Sequence, residues 1–201
     1  MFPRPRRSRA PVSGHTWATV QTWKMETNRN TPYYLTAVGL FILLKIGFVF
    51  ADNDNLMFLL KPTNKLVEIL TDSRSVFLAD NGFFYEKMNI AIDKSCSGFN
   101  FWILCFLLFT YLGLKYFDKH WHKILIIPTA LFCAYVLTVF ANVSRIVASI
   151  LAHNQTVGIF PDKQLIIHEI VGITTYFSFL ILAYYLIELF LKNKKHYAKP
   201  A

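Results

Sequence analysis

The sequence predicts an all-α polytopic membrane protein with about four transmembrane helices, and three observations lead to this prediction. The 201-residue chain is 54% hydrophobic. Its apolar residues collect in blocks of about 18 or more with few charges, which is the length that spans a bilayer. Its Lys and Arg residues cluster between these blocks, so the net charge of +9 fits the cytoplasmic loops of a membrane protein and indicates no nucleic-acid partner.

The N-terminal part of the chain combines a basic tail with the first apolar block. Residues 1–32 are polar, and their prolines and arginines follow no helical or strand period, which predicts a disordered cytoplasmic tail. The sequence leaves open whether translation starts at Met1 or at Met25. Residues 33–51 form the first predicted span, with Lys45 inside it. This lysine is either a functional intramembrane charge or a side chain that extends to the interface.

A long polar section, residues 52–98, follows the first span and lacks the basic excess of the other polar segments. Within it, residues 56–70 are amphipathic and predict an interfacial or re-entrant helix. Asn81-Gly82 indicates a turn. Alternating apolar residues in the stretch 88–95 then predict a short extended segment that leads to Cys96.

The predicted membrane domain comprises residues 33–191. Its three further apolar blocks are residues 99–117, 124–152 and 165–191. The loop between the second and third spans and the tail at 192–201 are rich in lysine. The positive-inside rule places both segments and the N-terminal tail in the cytoplasm. The connections 52–98 and 153–164 then face outward. We therefore expect a multi-pass protein of the inner (cytoplasmic) membrane, with cytoplasmic termini and a periplasmic outward face.

Three residues with reactive side chains lie at outward ends of the predicted spans. Cys96 precedes the second span, and it is the cysteine nearest water, because Cys105 and Cys133 lie inside apolar blocks and read as core residues. The third span has risen about 24 Å by residue 140, at about 1.5 Å per residue, so Arg145 is near the outer interface. His168 lies in the first turn of the fourth span. The topology therefore brings the three groups to one face, without showing that they touch.

These three residue types together predict a cysteine active site. A thiolate is the nucleophile, and it needs a base or a cation nearby. His168 could take the Cys96 proton and later protonate a leaving amine, while Arg145 could stabilise an oxyanion. Ser97 and Gly98 allow a tight turn at the helix start, where backbone amides would favour the thiolate and could join the oxyanion hole.

No metal ion or organic cofactor is predicted. His120 and His122 have a spacing that could bind a metal, but a third ligand is lacking nearby. Each candidate residue also has a structural interpretation: Cys96 as an inert thiol, Arg145 as an anchor for lipid phosphates, and His168 as an interfacial polar residue.

At these residues the chain resembles the exosortase/archaeosortase family of membrane transpeptidases. The resemblance rests on three motifs: Cys96-Ser97-Gly98 opening a span, Asn142-Val143-Ser144-Arg145-Ile146 ending one, and His168 with Gly172 opening the last. The short extended segment before Cys96 is also similar. The chain is shorter than typical members, which have more spans, and is similar to the compact exosortase K type of Gram-negative bacteria.

The resemblance implies a substrate and a chemistry. Family members cleave a C-terminal sorting signal of exported proteins, typically a short motif, a transmembrane helix and a basic cluster, and pass the new carboxyl end to a surface acceptor. Cys96 would carry the acyl-enzyme, Arg145 and His168 would complete the triad, and Ser97, Gly98 and Asn142 would support it. The recognition motif, the acceptor, the oligomeric state and the choice between transfer and hydrolysis stay open.

Two other classes of function compete with this one. The first is a non-catalytic membrane assembly or scaffold protein that holds a partner with the loop at residues 52–95. The second is a small transporter subunit with Lys45 or Arg145 in a polar pathway. Thiol reactivity separates the enzyme from the scaffold, because a catalytic Cys96 reacts faster than an ordinary thiol.

Overall fold

The structure, a computed structural model, describes residues 17–86, 88, 90–117, 119–156 and 164–197. In chain order its helices and strands are α1 (Trp17–Phe50), α2 (Met57–Thr71), β1 (Val76–Leu78), β2 (Gly82–Tyr85), β3 (Ile90–Ile92), α3 (Phe99–Tyr116), α4 (His120–Thr156) and α5 (Gln164–Tyr197). Short 3₁₀ turns precede α2 and α3. The architecture is the predicted all-α membrane bundle with one small sheet.

Within the described residues, four helices are long and apolar enough to cross a membrane, namely those at Asn30–Phe50, Lys94–Tyr116, His120–His153 and Ile166–Lys192. Helix α3 is the centre of the bundle. In its membrane-spanning part 67% of the residues are buried, whereas 6% are buried in that of α1. It packs against α1, α4 and α5. The apolar outer faces of α1 and α5 carry exposed side chains such as Leu43 and Phe190, which a lipid environment accommodates.

Helix α2 lies against α4 through the apolar face that the sequence predicts. Leu59, Leu60 and Val67 are fully buried. Pro62 lies inside α2, and because proline has no amide proton, the carbonyl of Phe58 loses its bond within the helix. The hydroxyl of Tyr135 in α4 donates to this carbonyl at 2.8 Å, so a side chain from a membrane helix replaces the missing donor. The amphipathic helix is present, and its position at the interface stays a prediction.

The sheet has the order β1-β2-β3, and both pairs are antiparallel. Strand β3 falls inside the predicted extended segment, whereas β1 and β2 were not predicted from the sequence. The Tyr85 hydroxyl donates to Asn64 Oδ1 of α2 at 2.6 Å, which ties the sheet to the bundle. Burial, with a smaller effect of the Glu68 charge, raises the pKa of Tyr85 to about 12.

Several predicted boundaries differ from the structure, and one of them is the end of α4, which continues to Thr156 where the predicted span ends at residue 152. Helix α1 begins at Trp17, so residues 17–32 are helical where a disordered tail is predicted; residues 1–16 lie outside the described part of the chain. Helix α4 begins at His120 inside the predicted basic loop, and α5 continues to Tyr197 through the predicted tail. The physical reason is shared: these segments are polar but contain no glycine, and the one proline, Pro32, is accommodated within α1.

Candidate active site

The Cys96 turn is held by the side chain of Asp93. Asp93 Oδ1 accepts from the backbone nitrogen of Ser95 at 3.0 Å, from the Ser95 hydroxyl at 2.6 Å and from the Cys96 nitrogen at 3.3 Å. Capping of this kind fixes the direction in which the chain enters the turn. The Cys96 thiol is half-buried, and its Sγ lies 3.8 Å from the Ser95 hydroxyl oxygen.

Gly98 allows the turn to pass directly into α3. Its φ is +73°, a region in which residues with a side chain are strained. A Cβ atom at this position would lie 3.1 Å from Thr138 Cγ2 and 3.2 Å from the Tyr176 hydroxyl. The predicted supporting role of Gly98 therefore has a steric basis, because the backbone approaches both α4 and α5. Ser97 beside it is buried.

Asn142 connects the Cys96 turn to α5. It is fully buried, and its Nδ2 donates to the Cys96 carbonyl oxygen at 2.6 Å. Its Oδ1 accepts from the Tyr176 hydroxyl at 2.7 Å. The Asn142 amide thus donates to the turn before α3 and accepts from α5. These two bonds fix the position of the turn relative to α5.

Arg145 and His168 are in contact. Arg145 Nη2 lies 3.4 Å from His168 Nε2, and Nη1 donates to the Tyr176 hydroxyl at 3.3 Å. The guanidinium also lies over the Tyr176 ring, 5.3 Å from its centroid, in a cation–π arrangement. Gly172 provides the space, because a Cβ there would lie 2.9 Å from Arg145 Nε.

Cys96 and His168 line one open cavity of about 340 Å³. Its other walls are mostly apolar and come from β3, α4 and the start of α5, including Ile90, Ile146 and Ile150. The three candidate catalytic residues are therefore assembled at one site: Arg145 contacts His168, and His168 shares the cavity with Cys96. This volume is at the lower end of the range of about 300–1,000 Å³ that is typical of ligand sites.

Two functional candidates were missed from the sequence. Tyr176 joins Asn142 to Arg145, and a signal for it exists, because His168, Gly172 and Tyr176 recur every four residues and so share one face of α5. Asp93 caps the turn, and its position just before the cysteine could have indicated a cap.

The remaining residues that the sequence singled out lie as follows. The amides of Cys96, Ser97 and Phe99 already donate to Asp93 oxygens, to the Lys94 carbonyl and to the Ser97 hydroxyl, so these three amides of the helix start are occupied. Lys45 Nζ donates to Asn100 Oδ1 in the first turn of α3 at 2.6 Å, close to the Cys96 turn. Cys105 is buried as expected, but Cys133 is exposed, because it lines an open groove that α4 forms with α3 and α5.

A protein-family model described as "Transmembrane exosortase (Exosortase_EpsH)" matches residues 35–185 of the chain. The matched region contains Cys96, Arg145 and His168, together with α2, the sheet and the greater part of all four spans. No curated protein and no solved structure matches the chain.

Proposed function

The chain belongs to the transmembrane exosortase family, and we propose that it is a cysteine transpeptidase or protease that cleaves a C-terminal sorting signal of exported proteins. The observation that carries the proposal is the contact between Arg145 and His168 at the cavity that Cys96 also lines. A nucleophile and a base that line one cavity, with a fixed cation in contact with the base, are the parts that acyl transfer through a thioester requires.

The first half of the reaction forms the thioester. The Cys96 sulfur attacks the scissile carbonyl carbon, its proton passes to His168, and the carbonyl oxygen becomes an oxyanion that Arg145 stabilises. The carbon–nitrogen bond then breaks, and His168 gives the proton to the leaving amine. In the second half an acceptor amine or water attacks the thioester, loses its proton to His168 and releases the Cys96 thiol.

The Arg145–His168 contact fits this sequence of steps. A guanidinium only donates hydrogen bonds, so the contact is compatible with an unprotonated Nε2, which is the form that a general base needs. The 3.4 Å separation is long for a hydrogen bond. Arg145 can therefore leave Nε2 when His168 receives the thiol proton and can turn to the oxyanion.

The proposed location follows from the charge pattern. We propose that the protein lies in the inner membrane with cytoplasmic termini and that the site faces the periplasm. The basic side chains Lys115 and Lys123 belong to the end of the bundle opposite Cys96, where Lys115 pairs with Glu188 at 3.0 Å. A lysine-rich end of this kind is typical of the cytoplasmic side.

The test is a cleavage assay in membranes. The chain is co-expressed with an exported protein that carries a C-terminal helix and a basic tail, and loss of the tail is followed for the wild type and for Cys96→Ala, with Cys133→Ala as the matched control. We expect release by the wild type and by Cys133→Ala only. Equal release by Cys96→Ala would remove Cys96 as the nucleophile. Alkylation of Cys96 by an impermeant reagent in spheroplasts tests both its reactivity and its side of the membrane.

A further inference from the structure

Strand β3 is an edge strand that faces the candidate active site. Among the residues that the structure describes, its one partner in the sheet is β2. On its other side lies the cavity, whose walls include Ala91 of β3, Ile150 of α4 and Ile167 of α5. An edge strand presents backbone donors and acceptors that can pair with another extended chain.

The orientation of the β3 peptide groups follows from Gly82. A Cβ atom added at Gly82 would clash with the carbonyl oxygen of Ile92, so this carbonyl points toward β2. Residues of an antiparallel pair alternate between those that bond to the partner and those that point away. Ala91, which is opposite Phe84, therefore directs its N–H and C=O away from β2. Ala91 is exposed and lines the cavity.

The cavity contains a second indication of a polar occupant. Ser149 lines it, and its buried hydroxyl has no hydrogen-bond partner among the residues that the structure describes. An unpaired buried hydroxyl is costly, and rotation of the Ser149 side chain toward the cavity would let a bound peptide group satisfy it. Most of the remaining wall is apolar, with Met88, Ile90 and Ile146 in it, while His153 and His168 also line the cavity. The apolar part of the wall suits an aliphatic or aromatic side chain.

We propose that β3 is a docking strand for the substrate: an extended segment next to the scissile bond pairs with the N–H and C=O of Ala91 and adds a fourth strand to the sheet. Strand addition of this kind takes affinity from main-chain hydrogen bonds and specificity from side-chain pockets. An apolar side chain of the segment enters the cavity beside Ser149. The inference rests on the proposed function, because Cys96 at the end of the same cavity identifies the occupant as the segment to be cleaved.

The test uses the full chain in lipid nanodiscs and does not depend on Cys96 chemistry. The probe is a pool of capped, photoreactive peptides with apolar residues varied at alternate positions, and the matched probe has N-methylated backbone amides. We expect cross-links to β3 and to the facing part of α4. N-methylation should lower their yield about fivefold for each backbone hydrogen bond lost, which corresponds to about 1 kcal/mol.

Two substitutions make the test specific. Ala91→Pro removes the edge-facing donor and is tolerated on edge strands, so cross-linking should fall about fivefold. Val76→Ala on β1, at the opposite edge of the sheet, leaves β3 unchanged and should cross-link as the wild type does. Cross-links that lie elsewhere, or that neither N-methylation nor Ala91→Pro reduces, would overturn the docking strand.

Alkylation of Cys96 by iodoacetamide in the same nanodiscs separates the two proposals. Fast alkylation together with unaltered cross-linking in Ala91→Pro leaves the thiol mechanism standing and removes the docking strand. Slow alkylation together with the expected loss of cross-linking keeps the peptide site and removes Cys96 as the nucleophile. An equal alkylation rate in Ala91→Pro and the wild type establishes that the Cys96 turn is intact in the variant.

Discussion

The buried side chain of Asn142 donates a hydrogen bond of 2.6 Å to the carbonyl oxygen of Cys96. This bond joins α4 to the turn that contains Cys96. It uses the backbone carbonyl of Cys96 and does not involve the sulfur atom.

Asn142→Ala should therefore loosen the Cys96 turn. It removes the donor to Cys96 and the acceptor for Tyr176, which costs about 1–3 kcal/mol when buried partners are left unpaired. We expect a lower thermal midpoint in detergent and at least tenfold slower release of the sorting tail. Asn55→Ala, at an exposed asparagine, is the control and should change neither quantity. Full activity in Asn142→Ala would contradict the positioning role.

Gly172→Ala should displace Arg145 without touching the thiol. The new Cβ would lie 2.9 Å from Arg145 Nε, so the guanidinium must move, and a displacement of about 1 Å at a reacting centre costs about 10²-fold in rate. We expect tail release to fall by about that factor, while iodoacetamide alkylates Cys96 at the wild-type rate. Gly47→Ala in α1 is the matched control, since its Cβ would meet nothing within 4 Å. Equal rates in the two variants would show that the position of Arg145 does not matter.

Tyr176→Phe isolates one hydroxyl. The ring keeps its stacking on Phe101, with centroids 4.6 Å apart, but the hydrogen bonds with Asn142 and Arg145 are lost. At about 1 kcal/mol for each bond, tail release should slow by about five- to thirtyfold. Tyr185→Phe on the exposed side of α5 should behave as the wild type does. If the two variants have equal rates, Tyr176 serves packing alone.

Tyr85 predicts a loss of stability in alkali. Its pKa is raised from 10.0 to about 12 in the folded chain, chiefly by burial, so the stability that the neutral hydroxyl provides is fully present below pH 10 and is lost as the pH rises toward 12. The ultraviolet tyrosinate absorbance of the wild type minus that of Tyr85→Phe should titrate near pH 12. A difference that titrates near pH 10 would mean that Tyr85 does not form its buried contact with Asn64.

The spans and the common face of Cys96, Arg145 and His168 were predictable from the sequence, because hydropathy is a local property that indicates where each span begins and ends. The contact between Arg145 and His168 was not, since it depends on how α4 and α5 rotate about their axes when they pack. Tyr176 was missed for the same reason: its spacing from His168 and Gly172 indicates a shared helical face, but within an apolar span nothing distinguishes its ring from that of a packing residue. Strands β1 and β2 were missed because three or four residues are too few to show a clear alternation of apolar and polar side chains. Whether such a segment forms a strand depends on its pairing with neighbouring strands.

Positions 62 and 135 of the chain depend on each other. Pro62 leaves the Phe58 carbonyl of α2 without its helical donor, and the Tyr135 hydroxyl of α4 donates to that carbonyl. A residue with an amide proton at position 62 would donate to the Phe58 carbonyl within α2. The hydrogen bond from the Tyr135 hydroxyl would then no longer be needed. Phenylalanine at position 135 would leave the Phe58 carbonyl without a hydrogen-bond donor while Pro62 is present. In evolutionary terms the two residues form one unit of selection, and we expect lineages that replace one of them to replace the other.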